Sequence, residues 1–233
     1  MAQNSPANNL SSIPETIDAF ARGEFIIVLD NPTRENEGDL IIAAEDLTPS
    51  KMAFMIRHTS GYICAPIPES RADALGLPQM VTVNADPTRC AYSITIDGND
   101  PAIGTGISAA DRARTCQMLA DPATTAASFR RPGHILPLRA RDLGVRVRYG
   151  HTEAAIEFCR LAGKRLAAVL CEMVLDGEED QMGKTERVGA GMMRRDDCLA
   201  FGKKWGVKVC AISDLVAYVE KNEGRLSVPG AEY

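Results

Sequence analysis

Short apolar runs, each bounded by polar or glycine-containing turns, recur along the chain. The run EFIIVLD at 24–30 is rich in β-branched residues, and AAVLCEMVL at 167–175 is apolar over most of its length. Runs of this length and composition are typical of strands that are buried on both faces. The same signals predict strands or extended segments at 24–30, 40–45, 61–67, 92–98, 133–139, 144–150, 167–175 and 206–212.

Capping residues and helical periodicity predict the helices between these strands. Thr48 and Pro49 are the residue types preferred at an N-cap and in a first turn, and Ser108 with Asp111 has the spacing of a capping box. Thr152 is expected to cap the helix predicted at 151–164. The predicted helices cover 14–22, a segment from 49 onward, 69–77, 109–120, 151–164, 196–204 and 213–222.

The order of these elements predicts the fold class. Strands and helices alternate irregularly, no internal repeat is visible, and no shift in composition marks a linker. One α/β (α+β) domain with a twisted mixed β-sheet flanked by helices is the simplest arrangement. We expect this domain to cover 13–233, after a flexible polar tail at 1–12. The sequence has neither a GxGxxG turn after a strand nor a GxxxxGK[ST] loop. A standard dinucleotide or nucleoside triphosphate site is therefore not supported.

Composition narrows the class of protein. Of 233 residues, 45% are hydrophobic and 24% are charged, which is ordinary for a globular domain and excludes a disordered or fibrous chain. The net charge of −5 argues against nucleic acid as a partner, and no apolar run has the length of a membrane span. Seven cysteines without a CxxC pair, and no secretion or transit signal, predict a reducing, cytoplasmic location.

A cluster of acidic residues follows the first predicted strand. If the segment RENEGD is extended, Glu35, Glu37 and Asp39 point to one face, where their charges repel unless a cation joins them. Carboxylate oxygens are the ligands that Mg²⁺ and Mn²⁺ prefer, and Arg34 can hold a phosphate group bidentately. The segment therefore predicts a metal and phosphate site. The alternative is a solvated acidic turn.

A second candidate lies at the start of the helix at 151–164. Gly150 allows a ligand to approach the backbone, and His151 at the helix N-terminus is a good ligand for a divalent metal. An anion is favoured at the same position, with Arg148 nearby. The alternative is an ordinary capped helix whose histidine satisfies only local hydrogen bonds.

Two further residues are candidates for acid–base chemistry. His134 follows a glycine in an arginine-bearing segment, and the alternative is a structural histidine in a Pro-Gly turn. Glu172 is a lone carboxylate in an otherwise apolar strand, where burial would suit it to proton transfer. The alternative is an edge-strand glutamate that faces water.

Other signals in the chain are weaker. Cys64 lies in a predicted strand, where an inert buried thiol is the default, and Thr95 lies in another strand. Four basic residues near the predicted helix at 196–204 are interpreted as a solvated helix face: Arg194, Arg195, Lys203 and Lys204.

Six segments together resemble the 3,4-dihydroxy-2-butanone 4-phosphate synthase family of riboflavin biosynthesis. They are RENEGD, RHTSGYIC, TGISAADR, RPGH with PLR, RYGHTEA and VLCE. The segments occur in the family's order between Ile13 and Ile212. Each motif alone is modest, but six in order are specific.

The resemblance implies a lyase that converts D-ribulose 5-phosphate into L-3,4-dihydroxy-2-butanone 4-phosphate and formate. It implies Mg²⁺ or Mn²⁺ as cofactor, with one or two ions per site. It also implies a homodimer with sites at the subunit interface, so that His134 serves the site of the other subunit. The chain has no room for the fused GTP cyclohydrolase II domain of many bacterial relatives, and is expected to be monofunctional.

The resemblance also assigns roles to individual residues. The implied metal ligands are Glu35, Glu37 and His151. The implied catalytic residues are His134, Glu172, Asp39, Glu37 and Cys64. The implied substrate contacts are Arg34, Asp39, Thr95, Arg148, Tyr149, Gly150, His151, Thr152 and Glu172.

Two other functional classes remain open. A different metal-dependent phosphosugar enzyme, such as an isomerase or an aldolase, would use the same kinds of residue but would not release formate. A nucleotide- or nucleic-acid-binding module is disfavoured by the acidic composition and by the lack of a basic strand face that carries aromatic residues.

Overall fold

Strands form the centre of the molecule. The computed structural model describes residues 10–179 and 187–226. The strands in these residues are β1 (Ile26–Leu29), β2 (Gly38–Ala43), β3 (Cys64–Pro68), β4 (Ile96–Gly98), β5 (Phe129–Ala140), β6 (Ala168–Glu172), β7 (Glu178–Glu179), β8 (Arg187–Val188) and β9 (Lys208–Ala211).

Seven of these strands form one mixed sheet, in the order β4-β5-β3-β6-β2-β1-β9. β1 pairs with β9, and β3 with β5, in parallel. The β1–β2, β2–β6, β3–β6 and β4–β5 pairs are antiparallel. β7 and β8 form a separate antiparallel pair. The predicted α/β (α+β) class with a mixed sheet is confirmed.

Helices precede or follow most of these strands. Ser12 begins the first helix with a complete capping box that includes Glu15, and the hydroxyl of Thr48 accepts from the Lys51 amide at the start of the second. The α-helices in the described residues are α1 (Ile13–Ala21), α2 (Pro49–His58), α3 (Glu69–Ala74), α4 (Ala109–Ala120), α5 (His151–Leu161), α6 (Arg195–Trp205) and α7 (Ile212–Glu223).

Two apolar clusters pack against the two faces of the sheet. Ile27 and Leu40 belong to the cluster that contains Met52 of α2. Ile26 of the same strand belongs to the other cluster, with Phe158 of α5. Successive strand residues thus point to opposite apolar layers, because side chains alternate across a strand. This double burial explains why the predicted strands are continuously apolar rather than alternating.

An aromatic group joins α2 to α6 on one side of the sheet. The ring of Trp205 lies 5.0 Å from that of Phe54 in an edge-on arrangement, and 5.1 Å from that of His58. Phe201 lies 6.2 Å from Phe54. Edge-to-face contacts of this kind stabilise a pair of aromatic rings beyond the area they bury. They fix the position of α6 relative to α2.

Two predicted strands differ from the structure. The segment 144–150 is not a strand: Gly144–Arg146 form a 3₁₀ turn, after Leu143 at φ 72° and Gly144 at φ 62°. These left-handed backbone angles break an extended path. The predicted strand at 92–98 is confirmed only at β4, because Tyr92 and Ser93 make isolated bridges to neighbouring segments.

Two predictions about chain ends and caps are also corrected. The tail predicted at 1–12 is too long, because the amide of Ser11 donates to the Val209 carbonyl at 2.7 Å and Ser12 caps α1. Residues 1–9 lie outside the described residues, as does the part of the polar segment 176–192 at 180–186. Thr152 does not cap α5: Gly150 holds the N-cap position and no side chain closes it.

One edge of the sheet collects the segments that carry the candidate residues. β1 ends there at Leu29, and β2 begins there at Gly38. Asp39 pairs in register with Glu172 at the end of β6, and Cys64 opens β3 opposite Leu170. Among the described residues, no helix has the length and apolar character that a membrane crossing requires.

Gly133 allows β5 to approach β4 without a steric clash. A Cβ atom there would lie 1.9 Å from the Ile96 carbonyl carbon and 2.2 Å from the Asp97 nitrogen, and backbone atoms cannot move aside easily. We expect Gly133→Ala to lower the free energy of unfolding by about 3 kcal/mol, the upper part of the range for overpacking. Urea unfolding measures the change.

Gly191→Ala is the matched control for this substitution. A Cβ atom at Gly191 would meet nothing within 4 Å, so the free energy of unfolding should change by less than about 0.5 kcal/mol. Equal unfolding midpoints for the two variants would show that β4 and β5 are not this close.

Candidate active site

The acidic loop, residues 30–37 between β1 and β2, is organised by Asp30. The side chain of Asp30 is fully buried, and its Oδ2 accepts from the Glu35 amide at 2.9 Å and from Arg34 Nη1 at 3.1 Å. Its Oδ1 accepts from the Glu37 amide at 2.9 Å. Asn36 between the two glutamates has φ 54°, a left-handed angle that asparagine tolerates. Asp30 therefore fixes the backbone from which both glutamate side chains extend.

The ring of His151 is oriented by a backbone carbonyl. Its Nε2 lies 3.1 Å from the Val28 oxygen and donates to it, so the proton-free nitrogen is Nδ1. Nδ1 lies 4.0 Å from Glu35 Oε2 and 3.8 Å from Asp39 Oδ2. Burial holds the pKa of His151 well below its ordinary value, which favours the neutral ring. A neutral imidazole with a fixed second nitrogen is the usual form of a metal-binding histidine.

Three side chains from two distant segments form a group that can hold a metal ion. Each of Glu35, Glu37 and His151 offers one ligand atom, and these atoms lie within 4.8 Å of one another. Two carboxylates and one imidazole match the ligand preferences of Mg²⁺ and Mn²⁺. The sequence pointed to these residues from two separate segments, and the fold brings them together.

The carboxyl groups of this cluster destabilise one another's charged forms. Burial and then the charges of Glu35, Glu172 and Asp30 raise the pKa of Glu37 to about 7. Burial and then the charge of Glu172 raise the pKa of Asp39 well above its ordinary value. Asp39 is 2% exposed, and its Oδ1 has no hydrogen-bond partner within the described residues. Such a group retains a proton or requires a cation.

Glu172 is less buried than the sequence suggested. The adjacent Cys171 and Met173 are buried as expected, but Glu172 is the last residue of β6 and is only partly covered. Its Oε2 accepts from the Ser60 hydroxyl at 2.9 Å, and its carbonyl accepts from the Ser60 amide at 2.9 Å. Glu172 is therefore a positioned carboxylate at the cavity wall rather than a residue enclosed in the core.

Arg148 is held by a buried ion pair. Its Nη1 lies 2.6 Å from Glu153 Oε2, and its Nη2 donates to the Thr88 carbonyl at 2.9 Å. A Cβ atom at Gly150 would lie 2.2 Å from this guanidinium, so the glycine makes room for Arg148. The group found next to Gly150 is therefore a side chain of this chain, and the approach of a ligand to its backbone stays a prediction. The guanidinium of Arg34 likewise contacts Glu35 as well as Asp30.

A polar cavity of about 160 Å³ joins these groups. Cys64 lines it but is 1% exposed, and burial raises the pKa of its thiol well above the ordinary value, so the thiol is neutral. Nine of the residues proposed from the sequence line this cavity: Arg34, Glu35, Glu37, Asp39, Cys64, Arg148, His151, Thr152 and Glu172.

Four of the proposed residues do not line this cavity. His134 and Thr95 belong to the β4–β5 region, where His134 Nδ1 lies 2.9 Å from Asp97 Oδ2 and Thr95 Oγ1 accepts from the Gly133 amide. Tyr149 packs against the core and lines an adjoining, larger cavity of about 790 Å³, which shares Arg34, Glu37 and Arg148 with the polar cavity. Gly150 is the fourth, and acts through Arg148. Within one chain, the histidine proposed for catalysis is thus turned toward Asp97.

Sequence reasoning missed several residues that build the site. Asp30 was treated as the end of a strand, although an aspartate just before a loop commonly accepts from backbone amides further along. Ser60 gave no distinguishing signal. The solvated helix face predicted for Arg194 describes only part of its role: the side chain is exposed, but its Nη1 also donates to the Glu35 carbonyl at 2.9 Å and to the Asn36 carbonyl.

Comparison with known proteins decides the family. The model of the 3,4-dihydroxy-2-butanone 4-phosphate synthase family matches residues 14–218. The chain belongs to this family. A 3,4-dihydroxy-2-butanone 4-phosphate synthase of Pyricularia oryzae is 56% identical over 97% of each chain, and that of Schizosaccharomyces pombe is 50% identical over 91% of this chain and 98% of the relative.

Solved structures agree with the sequence comparison. A crystal structure of 3,4-dihydroxy-2-butanone 4-phosphate synthase in complex with two magnesium ions is 57% identical and superposes with a TM-score of 0.91, covering 93% of this chain and all of the other. The chain is thus an enzyme that makes 3,4-dihydroxy-2-butanone 4-phosphate from ribulose 5-phosphate in riboflavin biosynthesis. The resemblance stated from the six segments is confirmed.

The raised pKa of Glu37 predicts a pH dependence of magnesium binding. With a pKa of about 7, Glu37 is mostly protonated at pH 6 and mostly charged at pH 8, and a metal ion competes with the proton. We expect Mg²⁺ to bind the metal-free protein about tenfold more tightly at pH 8 than at pH 6. Titration calorimetry at both pH values measures the difference.

Glu37→Gln should reduce this pH dependence and stabilise the metal-free protein. The folded state binds the Glu37 proton more tightly than the unfolded state, so this group's stabilisation is lost as pH rises from 4.5 toward 7. Above pH 7 the variant should therefore have a higher Tm than the wild type without Mg²⁺. An unchanged Tm together with unchanged Mg²⁺ binding would contradict the raised pKa assigned to Glu37.

Proposed function

We propose that this enzyme requires a divalent cation, Mg²⁺ or Mn²⁺, and releases C4 of D-ribulose 5-phosphate as formate. The products are L-3,4-dihydroxy-2-butanone 4-phosphate and formate, which together account for all atoms of the substrate. The observation that carries this proposal is the cluster of Glu35, Glu37 and His151, in which the pKa of Glu37 is raised, beside Asp39, whose pKa is raised by burial. A ketose phosphate needs a cation for adjacent oxygens and bases of tuned pKa.

The ligands for the cation are Glu35, Glu37 and Nδ1 of His151, with one or two ions per site. The fit rests on three features: oxygen-rich donors, a neutral imidazole whose Nε2 is already used, and carboxylates that repel one another in the absence of a cation. When bound, such an ion supplies Lewis-acid stabilisation of negative charge on substrate oxygens. A relative was crystallised with two magnesium ions, which is consistent with the upper number.

The carboxyl groups around the cavity are assigned to proton transfer. Burial raises the pKa of Asp39 well above its ordinary value, and the pKa of Glu37 is raised to about 7, which suits these groups to proton transfer. Glu172 is placed opposite Asp39 in the β2–β6 ladder and is oriented by Ser60. We assign Glu172 as a base that acts on the reacting carbons. Cys64 is kept as a candidate that contacts the substrate from the cavity wall.

The phosphate group of the substrate is assigned to the arginine side of the cavity. Arg34 and Arg148 both line the cavity, and the N-terminal turn of α5 lies beside them with Thr152. Free backbone amides at a helix N-terminus and a fixed guanidinium favour an anion. Gly150 contributes by making room for Arg148, whereas Tyr149 and Thr95 are the least supported of the proposed contacts.

We propose a homodimer with sites at the subunit interface. His134 is half-exposed on β5 and does not line the cavity of its own chain, although the family resemblance assigns it to catalysis. A second subunit that presents its His134 to this cavity would reconcile the exposed position of His134 with the implied catalytic role. The Asp97 carboxylate beside the ring would then fix its tautomer.

The proposed location is the cytoplasm. All seven cysteines of the chain are free thiols in the structure, which fits a reducing compartment. An isomerase or aldolase acting on the same substrate is the remaining alternative for the chemistry, and formate separates it from the proposal.

The cation requirement is tested by formate release from D-ribulose 5-phosphate. Chelation with EDTA should abolish formate release, and Mg²⁺ should restore it, because two carboxylates and His151 form the only proposed cation site. Glu35→Gln should make activity depend on higher Mg²⁺ concentrations. Full turnover by thoroughly chelated enzyme would overturn the requirement, and loss of substrate without formate would favour an isomerase or aldolase.

Substitutions of Glu172 and Arg148 should affect different kinetic constants. Glu172→Gln keeps the shape and the Ser60 hydrogen bond but removes proton transfer, so kcat should fall at least about 100-fold while the substrate still binds. Arg148→Lys keeps a charge beside Glu153 but loses the planar fork, so KM should rise with little change in kcat. If Glu172→Gln lost substrate binding and kept kcat, its assignment as a base would be wrong.

A further inference from the structure

Arg194 reaches from the N-terminus of α6 to the outer side of the acidic loop. Its Nη1 donates to the Glu35 carbonyl at 2.9 Å and to the Asn36 carbonyl next along the chain. These are the carbonyls of the two peptide groups that join Glu35 to Glu37. One guanidinium nitrogen therefore contacts the backbone between two of the proposed metal ligands.

The acidic loop is thus held from opposite sides. Asp30 accepts from the amides of Glu35 and Glu37 on the buried side. Arg194 donates to carbonyls on the exposed side. The peptide group between Asn36 and Glu37 is fixed at both ends, its amide by Asp30 and its carbonyl by Arg194. This leaves the backbone of Glu37 little freedom to rotate.

The backbone of Arg194 is itself held in place by neighbouring groups, although its side chain is exposed. The amide of Arg194 donates to Asp197 Oδ2 at 2.9 Å, and the amide of the preceding Met193 donates to the Met173 carbonyl at 3.0 Å. Cys198 of α6 packs so closely that a Cβ atom at Gly38 would lie 2.7 Å from its sulfur. The start of α6 is therefore anchored both to the chain after β6 and to the start of β2.

We propose that Arg194 is a positioning residue that holds the acidic loop in its metal-binding conformation. Glu35 and Glu37 repel each other when no cation is bound, and a loop free to move would separate them. A loop that is already restrained loses less conformational entropy when the metal binds, so the restraint makes the free energy of metal binding more favourable. The inference rests on the proposed metal site, and it adds a residue that contacts neither the ion nor the substrate.

Calorimetric titration of the metal-stripped full chain with Mg²⁺ tests the positioning role of Arg194. Arg194→Ala should weaken Mg²⁺ binding by about tenfold, the lower end of the range for residues that support metal ligands from outside the coordination shell. Arg194→Lys should bind with intermediate affinity, because the ammonium keeps a charge and one donor but not the fixed geometry.

Arg195 provides the matched control. It is the next residue, it is exposed, and its described ion pair is with Asp196 at 3.4 Å. Arg195→Ala and Arg195→Lys should bind Mg²⁺ as the wild type does. If Arg194→Ala does not fold, the comparison of Arg194→Lys with Arg195→Lys carries the test, since both keep the charge and the helix start.

Hydrogen exchange in the metal-free protein gives a second readout. Exchange of the Glu35 and Glu37 amides should be about tenfold faster in Arg194→Ala, as expected for loss of a hydrogen bond to a charged group, and unchanged in Arg195→Ala. If Arg194→Ala and Arg195→Ala showed equal exchange and equal Mg²⁺ affinity, the positioning role of Arg194 alone would be overturned. A wild-type protein that binds no Mg²⁺ would overturn the metal site, and the role of Arg194 with it.

Discussion

Repulsion among carboxyl groups is the constraint on which the site depends. Glu35, Glu37, Asp39 and Glu172 all line one cavity of about 160 Å³. Such a group of like charges is unfavourable in a folded protein unless protons or a cation reduce the charge. The pKa values of Glu37 and Asp39 are raised accordingly. This loss of stability is the physical source of the acid–base capacity and the cation affinity that we propose for the site.

The surrounding fold holds these charges in place with a rigid frame. The strands beneath them are buried on both faces, and Asp39 and Glu172 are fixed relative to each other by the β2–β6 ladder. The acidic loop, which has no regular structure, relies instead on Asp30 and Arg194. A rigid sheet edge and a restrained loop thus position groups that would otherwise move apart.

Local signals in the sequence predicted much of the fold and part of the site. Strands buried on both faces stand out as continuous apolar runs, and cap residues such as Thr48 mark helix starts. Glu35, Glu37 and His151 were identifiable because their chemistry is visible in short segments. Their meeting at one end of the sheet depends on strand order, which no short segment contains. The partly exposed position of Glu172 at the end of β6 depends on strand order as well.

The errors have equally specific causes. The segment 144–150 is apolar at alternate positions, but Leu143 and Gly144 adopt left-handed angles that turn the chain before a strand can form. Arg194 resembles any exposed arginine at a helix start, and its two acceptors are more than 150 residues away in the chain. Contacts made by backbone carbonyls leave no trace in residue type at the accepting positions.

The aromatic contact between α2 and α6 has an optical consequence. Trp205 is the only tryptophan of the chain, and it lies at the end of the helix whose first turn adjoins the acidic loop. Trp205 is 44% exposed as a residue, and its indole packs against Phe54 and His58. Intrinsic tryptophan emission therefore originates from α6 alone. Any change in the packing of α6 against α2 would therefore be visible as a spectral shift without an attached label, and so would a change caused by metal binding to the acidic loop.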